Sequence, residues 1–284
     1  MTPPENRRGQ NARTWLGDLQ PAWTVLERAS IDALLDEPSV ENRDLRLAVD
    51  LTADETAQSP VARNALVLLR EAGGGGLKLT PAGNLPRGTV AAMEAMAWPG
   101  RGPADARYGR KVLNEADLPQ LHFLCILAEM AGLAEREHGR LRTTDLGCHI
   151  LDGNSEGLQA LLFHIVFWRS DLSPFGRGLL GAWPQDHIGV VLWSLSVAAD
   201  SWQPPETLSR LCTVPCDEIF EVEWDVASLI LQARILAPLH WFGLVEHRGK
   251  DEAAGVPGEW RKSELFGRFL KFEVRFEDAV ATRH

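Results

Sequence analysis

The sequence predicts a mainly α-helical protein with small β-hairpins, and three observations predict this fold class. Apolar residues recur at helical spacing in residues 61–72, 117–131 and 229–242. Each of these helices is followed by glycine, which reaches positive φ at little steric cost and commonly ends a helix. Each glycine precedes a short alternation of polar and apolar residues that predicts a hairpin, and then a Thr or Ser a few residues before a further glycine.

The second of these three copies shows the pattern most clearly. Asp117 can cap its helix, and Pro119 suits the first turn because the N–H that proline lacks would be unpaired there. Gly132 ends the helix, and a His-Gly pair at 138–139 lies between two alternating segments, which predicts the hairpin turn. Thr144 follows and can cap the next helix with its hydroxyl oxygen.

The other two copies vary this pattern. In the third, Pro238 is expected to kink or restart the helix because it lacks an N–H, and Gly243 ends it. A hairpin with a longer polar tip, Arg248 to Glu259, comes next, and Ser263 opens the last helix with one extra residue before Gly267. In the first copy, four consecutive glycines replace the Gly-Leu turn.

This order of helix, turn, two-stranded wing and Thr-x-x-Gly resembles that of winged-helix proteins. The resemblance covers roughly half of the chain and is carried by Thr80 and Gly83, Thr144 and Gly147, and Ser263 and Gly267. It implies tandem winged-helix-like units, and the alternative is a set of unrelated helical hairpins. The segment Leu79 to Arg87 is also similar to one in uncharacterised bacterial proteins, a likeness that implies no activity.

Changes in composition along the chain predict its domain organisation. The copies are spaced too irregularly for a solenoid, which repeats at a fixed period. We expect a flexible N-terminal segment (1–28), acidic helices with winged-helix-like unit 1 (29–97), a Pro/Gly-rich linker with unit 2 (98–151), a helical insert (152–224), and unit 3 with a charged tail (225–284).

Charge and hydropathy exclude several kinds of partner and location. The 284 residues carry a formal net charge of −10 without a long basic tract, so broad attraction to nucleic acid is not a property of the whole molecule. The longest apolar runs have about 12 residues, whereas a helix needs ~20 to cross a bilayer, so no membrane partner is predicted. No secretion signal is recognised, which predicts a cytoplasmic protein with four free cysteines.

A local nucleic-acid contact is predicted around the first copy. A winged helix that reads DNA presents Arg, Lys, Asn or Gln from the helix that enters the major groove. The helices of the second and third copies are apolar nearly all round, which is typical of buried helices. The alternative for the first copy is the solvated polar face of a structural helix. The predicted contacts are Arg63, Asn64, Arg70, Lys78 and Arg87, with Arg140 and Arg142 of the second hairpin.

Three motifs that resemble reactive or cofactor sites lack the context that their chemistry needs. Gly176–Gly181 matches a dinucleotide fingerprint by letter, but neither a strand precedes it nor a helix follows it. Cys212 and Cys216 could offer two thiolates, whereas a structural zinc site needs four ligands. Asp186 and His187 are adjacent, without the Gly-x-Ser-x-Gly of a nucleophile elbow. We therefore predict no catalytic residue, metal or cofactor.

The leading functional hypothesis is a non-enzymatic, nucleic-acid-binding or transcription-related regulator that acts through winged-helix-like unit 1. The rival is a protein-interaction or scaffold module, with a protein partner or a second copy of the chain, on the same architecture. A small-molecule enzyme of unrecognised type is third. An enclosed pocket with convergent polar groups around Asp186 and His187 would favour the enzyme.

Overall fold

The computed structural model describes residues 4–39, 42–93, 96, 98, 114–221, 225–249 and 258–277. The described part is mainly helical with small antiparallel sheets, as the sequence predicts. Its contacts divide the chain into two compact units, which we name central and outer by their positions in the sequence. The central unit is Ala48–Ser170 with Trp241–Gly243, and the outer unit is Met1–Leu47, Asp171–His240 and Leu244–His284.

The described part of the chain contains the following helices and strands. The α-helices are α1 (Pro4–Leu16), α2 (Arg28–Leu35), α3 (Ala53–Ala57), α4 (Pro60–Gly73), α5 (Arg87–Met93), α6 (Pro119–Met130), α7 (Asp145–Leu151), α8 (Leu158–His164), α9 (Ile188–Ala198), α10 (Pro205–Cys212), α11 (Val226–Leu231), α12 (Ala237–Trp241) and α13 (Glu264–Phe269). The strands are β1 (Leu45–Leu47), β2 (Leu77–Lys78), β3 (Ala134–Glu137), β4 (Arg140–Thr143), β5 (Val245–Arg248), β6 (Glu259–Lys262) and β7 (Leu270–Phe272).

Helix α4 forms in the central unit for reasons that are local in sequence. The Ser59 hydroxyl accepts a hydrogen bond from the Ala62 N–H at 3.3 Å, and Pro60 occupies the first turn. One side of the helix is buried, including Leu68 and Leu69, both fully inaccessible. The helix predicted over 61–72 is therefore present, and its apolar face forms part of the core of this unit.

The sheet of the central unit joins segments from the first and second copies of the sequence pattern. Its strand order is β2-β4-β3, with both pairs antiparallel. Leu77 lies opposite Leu141, and Lys78 lies opposite Arg140. The strand of the first copy thus pairs with the hairpin of the second. Together they give one succession of helix, strand, two helices, hairpin and helix.

Thr144 explains why the second copy contains both a Gly-Leu turn and a Thr-x-x-Gly. Its hydroxyl donates to the Gly132 carbonyl at 2.6 Å and accepts from the Gly147 N–H at 3.1 Å. A Cβ at Gly147 would lie only 2.3 Å from the Leu133 carbonyl oxygen. The pattern therefore fastens the start of α7 against the turn that ends α6.

The corresponding residues of the other two copies have different roles. In the first, Thr80 and Gly83 form a turn, with the Gly83 N–H donating to the Thr80 carbonyl at 2.8 Å, and α5 begins only at Arg87. In the third, the Ser263 N–H donates to the Leu244 carbonyl at 2.9 Å. No atom lies within 4 Å of a Cβ built on Gly267. Because of the extra residue, Gly267 lies where no backbone comes close to it, unlike Gly147, which the Leu133 carbonyl approaches.

The outer unit repeats the same succession of elements. Helix α9 leads to Gln203, which forms an antiparallel bridge with Trp260 on β6, and α10 follows. Helices α11 and α12 are continuous with each other and together form the second helix of this succession, which the β5–β6 hairpin and α13 complete. Between α11 and α12 the chain forms a π-helical turn over Gln232–Leu236. Pro238 follows this turn, as expected of a residue that cannot donate to the carbonyl four residues earlier.

A fully buried arginine organises one loop of the outer unit. Arg234 is inaccessible to solvent, and its guanidinium donates to four backbone carbonyls. The acceptors are Gly181 at 2.7 Å, Leu179 at 2.6 Å, Ser173 at 3.1 Å, and Trp183. The Gly176–Gly181 segment that matches a dinucleotide fingerprint is therefore wrapped around an arginine side chain.

The predicted N-terminal segment (1–28) contains a helix. Pro4–Leu16 forms α1, and the Trp15 ring packs edge-on against Phe220 with centroids 6.2 Å apart. This tertiary contact explains a helix whose polar sequence gives little local signal. The predicted linker beyond Trp98, the tip of the third hairpin over 250–257 and the tail from 278 lie outside the described residues.

The other predicted segments fall across the two units as follows. Residues 48–97 and 98–151 both belong to the central unit, and 29–47 and 225–240 belong to the outer unit. The helical insert divides between them at Asp171. No helix in the part of the chain that the structure describes is long and apolar enough to cross a membrane.

Candidate nucleic-acid interface

Three of the predicted nucleic-acid contacts lie on one exposed face of the central sheet. Lys78 and Arg140 are opposite one another in the β2–β4 register, and Arg142 is two residues further along β4. All three are exposed, while Leu77 and Leu141 point to the other side, because successive side chains of a strand alternate. We call this surface the basic strand face.

The C-terminal end of α4 is tied to the same sheet. The Thr143 hydroxyl donates to the Leu69 carbonyl at 2.6 Å, which fastens the last turns of the helix to β4. The next residue, Arg70, is exposed. Four of the seven predicted contacts are thus held by the C-terminal end of α4 and the two strands: Arg70, Lys78, Arg140 and Arg142.

The glycine run beside the basic strand face lets the arginines pack closely. The Arg140 Nη1 donates to the carbonyls of Gly75 at 3.1 Å and Gly76 at 2.8 Å. Gly76 has a φ of +83°, and a Cβ there would lie 2.8 Å from the Arg142 Cγ. This segment therefore serves as a close-packed turn beside the basic strand face.

Acidic side chains on the edge strand moderate the charge of this face. Glu135 lies opposite Arg142, and Glu137 lies opposite Arg140. The Arg142 Nη1 is 3.6 Å from a Glu137 carboxylate oxygen, an exposed ion pair of the kind that contributes little to stability. Positive charge is therefore concentrated on the β2–β4 side of the sheet, away from β3.

The remaining predicted contacts occupy other positions. Arg63 is half-buried and donates to the Ala57 carbonyl at 3.3 Å, and Asn64 is only 1% exposed. Both line a groove between α4 and α5. Arg87 is exposed, and its Nε donates to the Asn114 Oδ1 at 2.9 Å. The burial of Asn64 follows from its place on the helix face that packs into the core.

The helices that precede the two hairpins present few groups that could read bases. Helix α6 contains no Lys or Arg, and its exposed side carries Ile126 and Met130, 39% and 47% exposed, beside the half-exposed His122. In the equivalent helix of the outer unit, Leu229 is exposed and Arg234 is fully buried. Most of each helix is buried, and neither presents an exposed Lys or Arg.

A buried carboxylate at the start of α6 was not identified from the sequence. Glu115 is 2% exposed and accepts hydrogen bonds from the Leu85 N–H at 2.5 Å and from His122 Nδ1 at 2.6 Å. The pair holds the start of α6 against the segment that leads into α5. A glutamate seven residues before a histidine is too common a spacing to reveal such a contact.

The motifs set aside on sequence grounds have ordinary structural environments. His187 Nδ1 lies 2.9 Å from Asp186 Oδ1, and this hydrogen bond lowers the pKa of Asp186. Cys212 is fully buried, which raises the pKa of its thiol, and burial likewise raises the pKa of Cys216 to about 11. Among the described residues, no group of three or more His, Cys, Asp or Glu could hold a metal ion.

Comparison with known families identifies one relationship, and it lies in the central unit. The model of the Y4jL N-terminal domain, an uncharacterised family, matches residues 57–156. This match spans the complete succession from α4 to α7, including the sheet β2-β4-β3 and the segment 79–87. Neither a curated protein nor a solved structure matches the chain.

Proposed function

We propose that the chain is a tandem winged-helix protein with one winged helix in each unit. The order of helix, strand, two helices and hairpin supports this assignment. The sheet order supports it too, because the first strand pairs with the last strand of the hairpin in both units. This order is β2-β4-β3 in the central unit, and in the outer unit Gln203 pairs with β6, which pairs with β5. Three sequence copies would thus correspond to two winged helices.

The function that this geometry supports best is non-enzymatic contact with the phosphate backbone of a nucleic acid. The observation that carries it is the convergence of Lys78, Arg140 and Arg142 on the basic strand face. Lys and Arg position a protein on phosphates, whereas sequence is read by donors and acceptors on base edges. Because α6 offers no basic side chain, we expect binding that depends little on sequence.

The expected salt dependence follows from the number of cations. Neutralising four phosphates, one each by Arg70 and the three residues of the basic strand face, would give a slope of log K against log salt of about −3.6 on duplex DNA. Arg140 already donates to two carbonyls, and Glu137 competes for Arg142, so a slope nearer about −2 to −3 is expected.

Fluorescence anisotropy of a labelled random-sequence duplex, titrated between about 25 mM and about 200 mM salt, tests this proposal. The Lys78→Gln, Arg142→Gln double variant should weaken binding and reduce the magnitude of the slope by about 1 to 2, because Glu137 already compensates part of the Arg142 charge. The control, Arg13→Gln with Arg28→Gln, removes the same charge from exposed positions of the outer unit. No binding at the lowest salt, or equal weakening by the control, would refute the proposal.

A protein-interaction module is the second candidate, favoured by the exposed Ile126 and Met130 on α6. The occupant to test first is a second copy of the chain, because an apolar stripe on one helix can pack on itself about a two-fold axis. Two copies repel each other because each carries a net charge of −10, and salt screens this repulsion. Association of two copies should therefore strengthen as salt is added, whereas nucleic-acid binding should weaken. Sedimentation velocity should then show a dimer that Ile126→Glu abolishes.

A further inference from the structure

The first turn of α6 carries a histidine whose ring is oriented by a buried carboxylate. His122 Nδ1 lies 2.6 Å from Glu115 Oε1, and the second carboxylate oxygen accepts from the Leu85 N–H at 2.5 Å. Because an ionised carboxylate only accepts hydrogen bonds, the proton of the neutral imidazole is on Nδ1. The free lone pair of the His122 ring is therefore on Nε2.

The two side chains of this pair differ in exposure. The imidazole is half-exposed, whereas the carboxylate is buried. Among the described residues, Glu115 is the only hydrogen-bond partner of the His122 ring. Since Nδ1 is turned towards the buried carboxylate, the Nε2 edge is the part of the ring left to solvent. A reagent in solution can thus reach the free nitrogen while the group that orients the ring is shielded from water.

Two other histidines lie beside carboxylates that are themselves half-exposed. Glu137 is 3.5 Å from His138 Nδ1, and Asp186 is 2.9 Å from His187 Nδ1. Water screens such pairs, and holding two exposed side chains together costs entropy. A buried carboxylate acts on its partner through a lower effective dielectric constant and is held in one position. Glu115 is therefore best placed to stabilise positive charge that develops on a histidine ring during attack on an electrophile.

We propose that His122 accepts a phosphoryl group on Nε2 from a small donor with a P–N bond. The Nε2–P bond forms as the P–N bond of the donor breaks, and the leaving nitrogen, already protonated in the donor, departs as the free amine. The Nδ1 proton stays on the ring, and Glu115 balances the ring's positive charge. His122 is the fourth residue of the twelve-residue α6, where the helix dipole favours the added negative charge. This inference is independent of nucleic-acid binding.

Incubation of the full chain with phosphoramidate, followed by mass spectrometry that preserves P–N bonds, tests the proposal by giving the rate of phosphoryl transfer at each histidine. His122 should react faster than His138, although the His138 side chain is more exposed, 83% against 46%. In urea that unfolds the chain, the two rates should become equal because the carboxylate no longer orients the ring. Equal rates in the folded protein, or a preference for His122 that persists in urea, would overturn the proposal.

Variants of the two glutamates isolate the effect of the buried charge. Glu115→Gln can still accept a hydrogen bond from Nδ1 but carries no charge. It should lower the rate at His122 by about 10-fold or more, as found when the partner that orients a functional histidine is removed, and leave the rate at His138 unchanged. The matched control, Glu137→Gln, removes a half-exposed carboxylate and should change neither rate by more than about 2-fold. An unchanged ratio of the two rates in Glu115→Gln, with native circular dichroism, would contradict the role assigned to Glu115. The urea comparison needs no variant and decides the matter if Glu115→Gln does not fold.

Discussion

Replacing Arg234 by methionine should destabilise the outer unit strongly, because the side chain satisfies four carbonyls from a position with no solvent access. Methionine keeps much of the aliphatic length but donates no hydrogen bond. The acceptors Ser173, Leu179 and Gly181 are partly buried, so water can reach some of them after the substitution, whereas the bond to Trp183 is fully buried.

The magnitude follows from how many acceptors remain unsatisfied. Each buried acceptor left without a donor costs about 1–3 kcal/mol, and removing one partner of a buried charged network typically costs about 3–5 kcal/mol. With about two acceptors unreplaced by water, we expect Arg234→Met to lower the free energy of unfolding by about 3–5 kcal/mol. That is a large part of the ~5–15 kcal/mol that stabilises a typical domain.

Urea unfolding followed by tryptophan fluorescence measures this loss, with far-UV circular dichroism confirming that the variant is folded in buffer. Arg177→Met is the matched control, since it removes the same charge from an exposed position of the same loop and should cost less than about 0.5 kcal/mol. A loss below about 1 kcal/mol for Arg234→Met would refute the reasoning that these four bonds hold the loop.

The other predictions concern the sequence pattern and the half-buried His240. Gly147→Ala should cost about 2–4 kcal/mol in urea unfolding, because its Cβ would meet Leu133 at 2.3 Å, whereas Gly267→Ala, with open space around it, should be neutral or stabilising. Thr144→Val should cost about 1–2 kcal/mol through the lost cap and carbonyl contact, and no loss would contradict the role assigned to its hydroxyl. Burial lowers the pKa of His240 below 6.5, so the unfolded chain binds more protons and stability falls as pH drops through that value. His240→Gln should reduce, without abolishing, the fall in unfolding free energy between about pH 7.5 and about pH 5.5, because burial also lowers the pKa of His247. An unchanged pH profile would contradict this assignment.

Turn-forming, capping and helix-breaking residues make several elements predictable from the sequence. The turn at Gly132, the hairpin centred on 138–139 and the helix opened by Thr144 depend on residues close to one another in the chain. Pro238 was expected to interrupt its helix, and a π-helical turn precedes it. In each case one residue determines the local structure, through a positive φ, a capping hydroxyl or a missing N–H.

Contacts between distant segments were not predictable in the same way. The pairing of Lys78 with Arg140 depends on how α4 and α6 pack, and two residues of strand give almost no periodic signal. Helix α1 has a polar sequence and is anchored by the contact between Trp15 and Phe220, which are far apart in the sequence. Single residues that join distant segments leave no pattern in a sequence.

The sequence indicates which basic residues could form the candidate site, but not on which face of their helix or strand each one lies. Arg63 and Asn64 were grouped with the basic residues because they share α4, yet they face the groove, with Asn64 almost completely buried. The facing positions on α5 repeat at helical spacing, and this was the signal that could have predicted a shared lining. Assigning faces required knowing which side of α4 meets the core.

The two hairpins show why the repeated fold does not by itself decide function. In the outer unit, Arg248 and Arg261 pair with glutamates across the hairpin, and both guanidiniums stack on Trp202 at 4.9 Å and 4.7 Å. Both arginines already have internal partners, and the two glutamates balance their charge on this face of the hairpin. On the basic strand face, Lys78 stands on β2, opposite the edge strand that carries the acids. If a polyanion binds this chain, the central unit should therefore be sufficient to attract it, and the outer unit must act through something other than its hairpin charge.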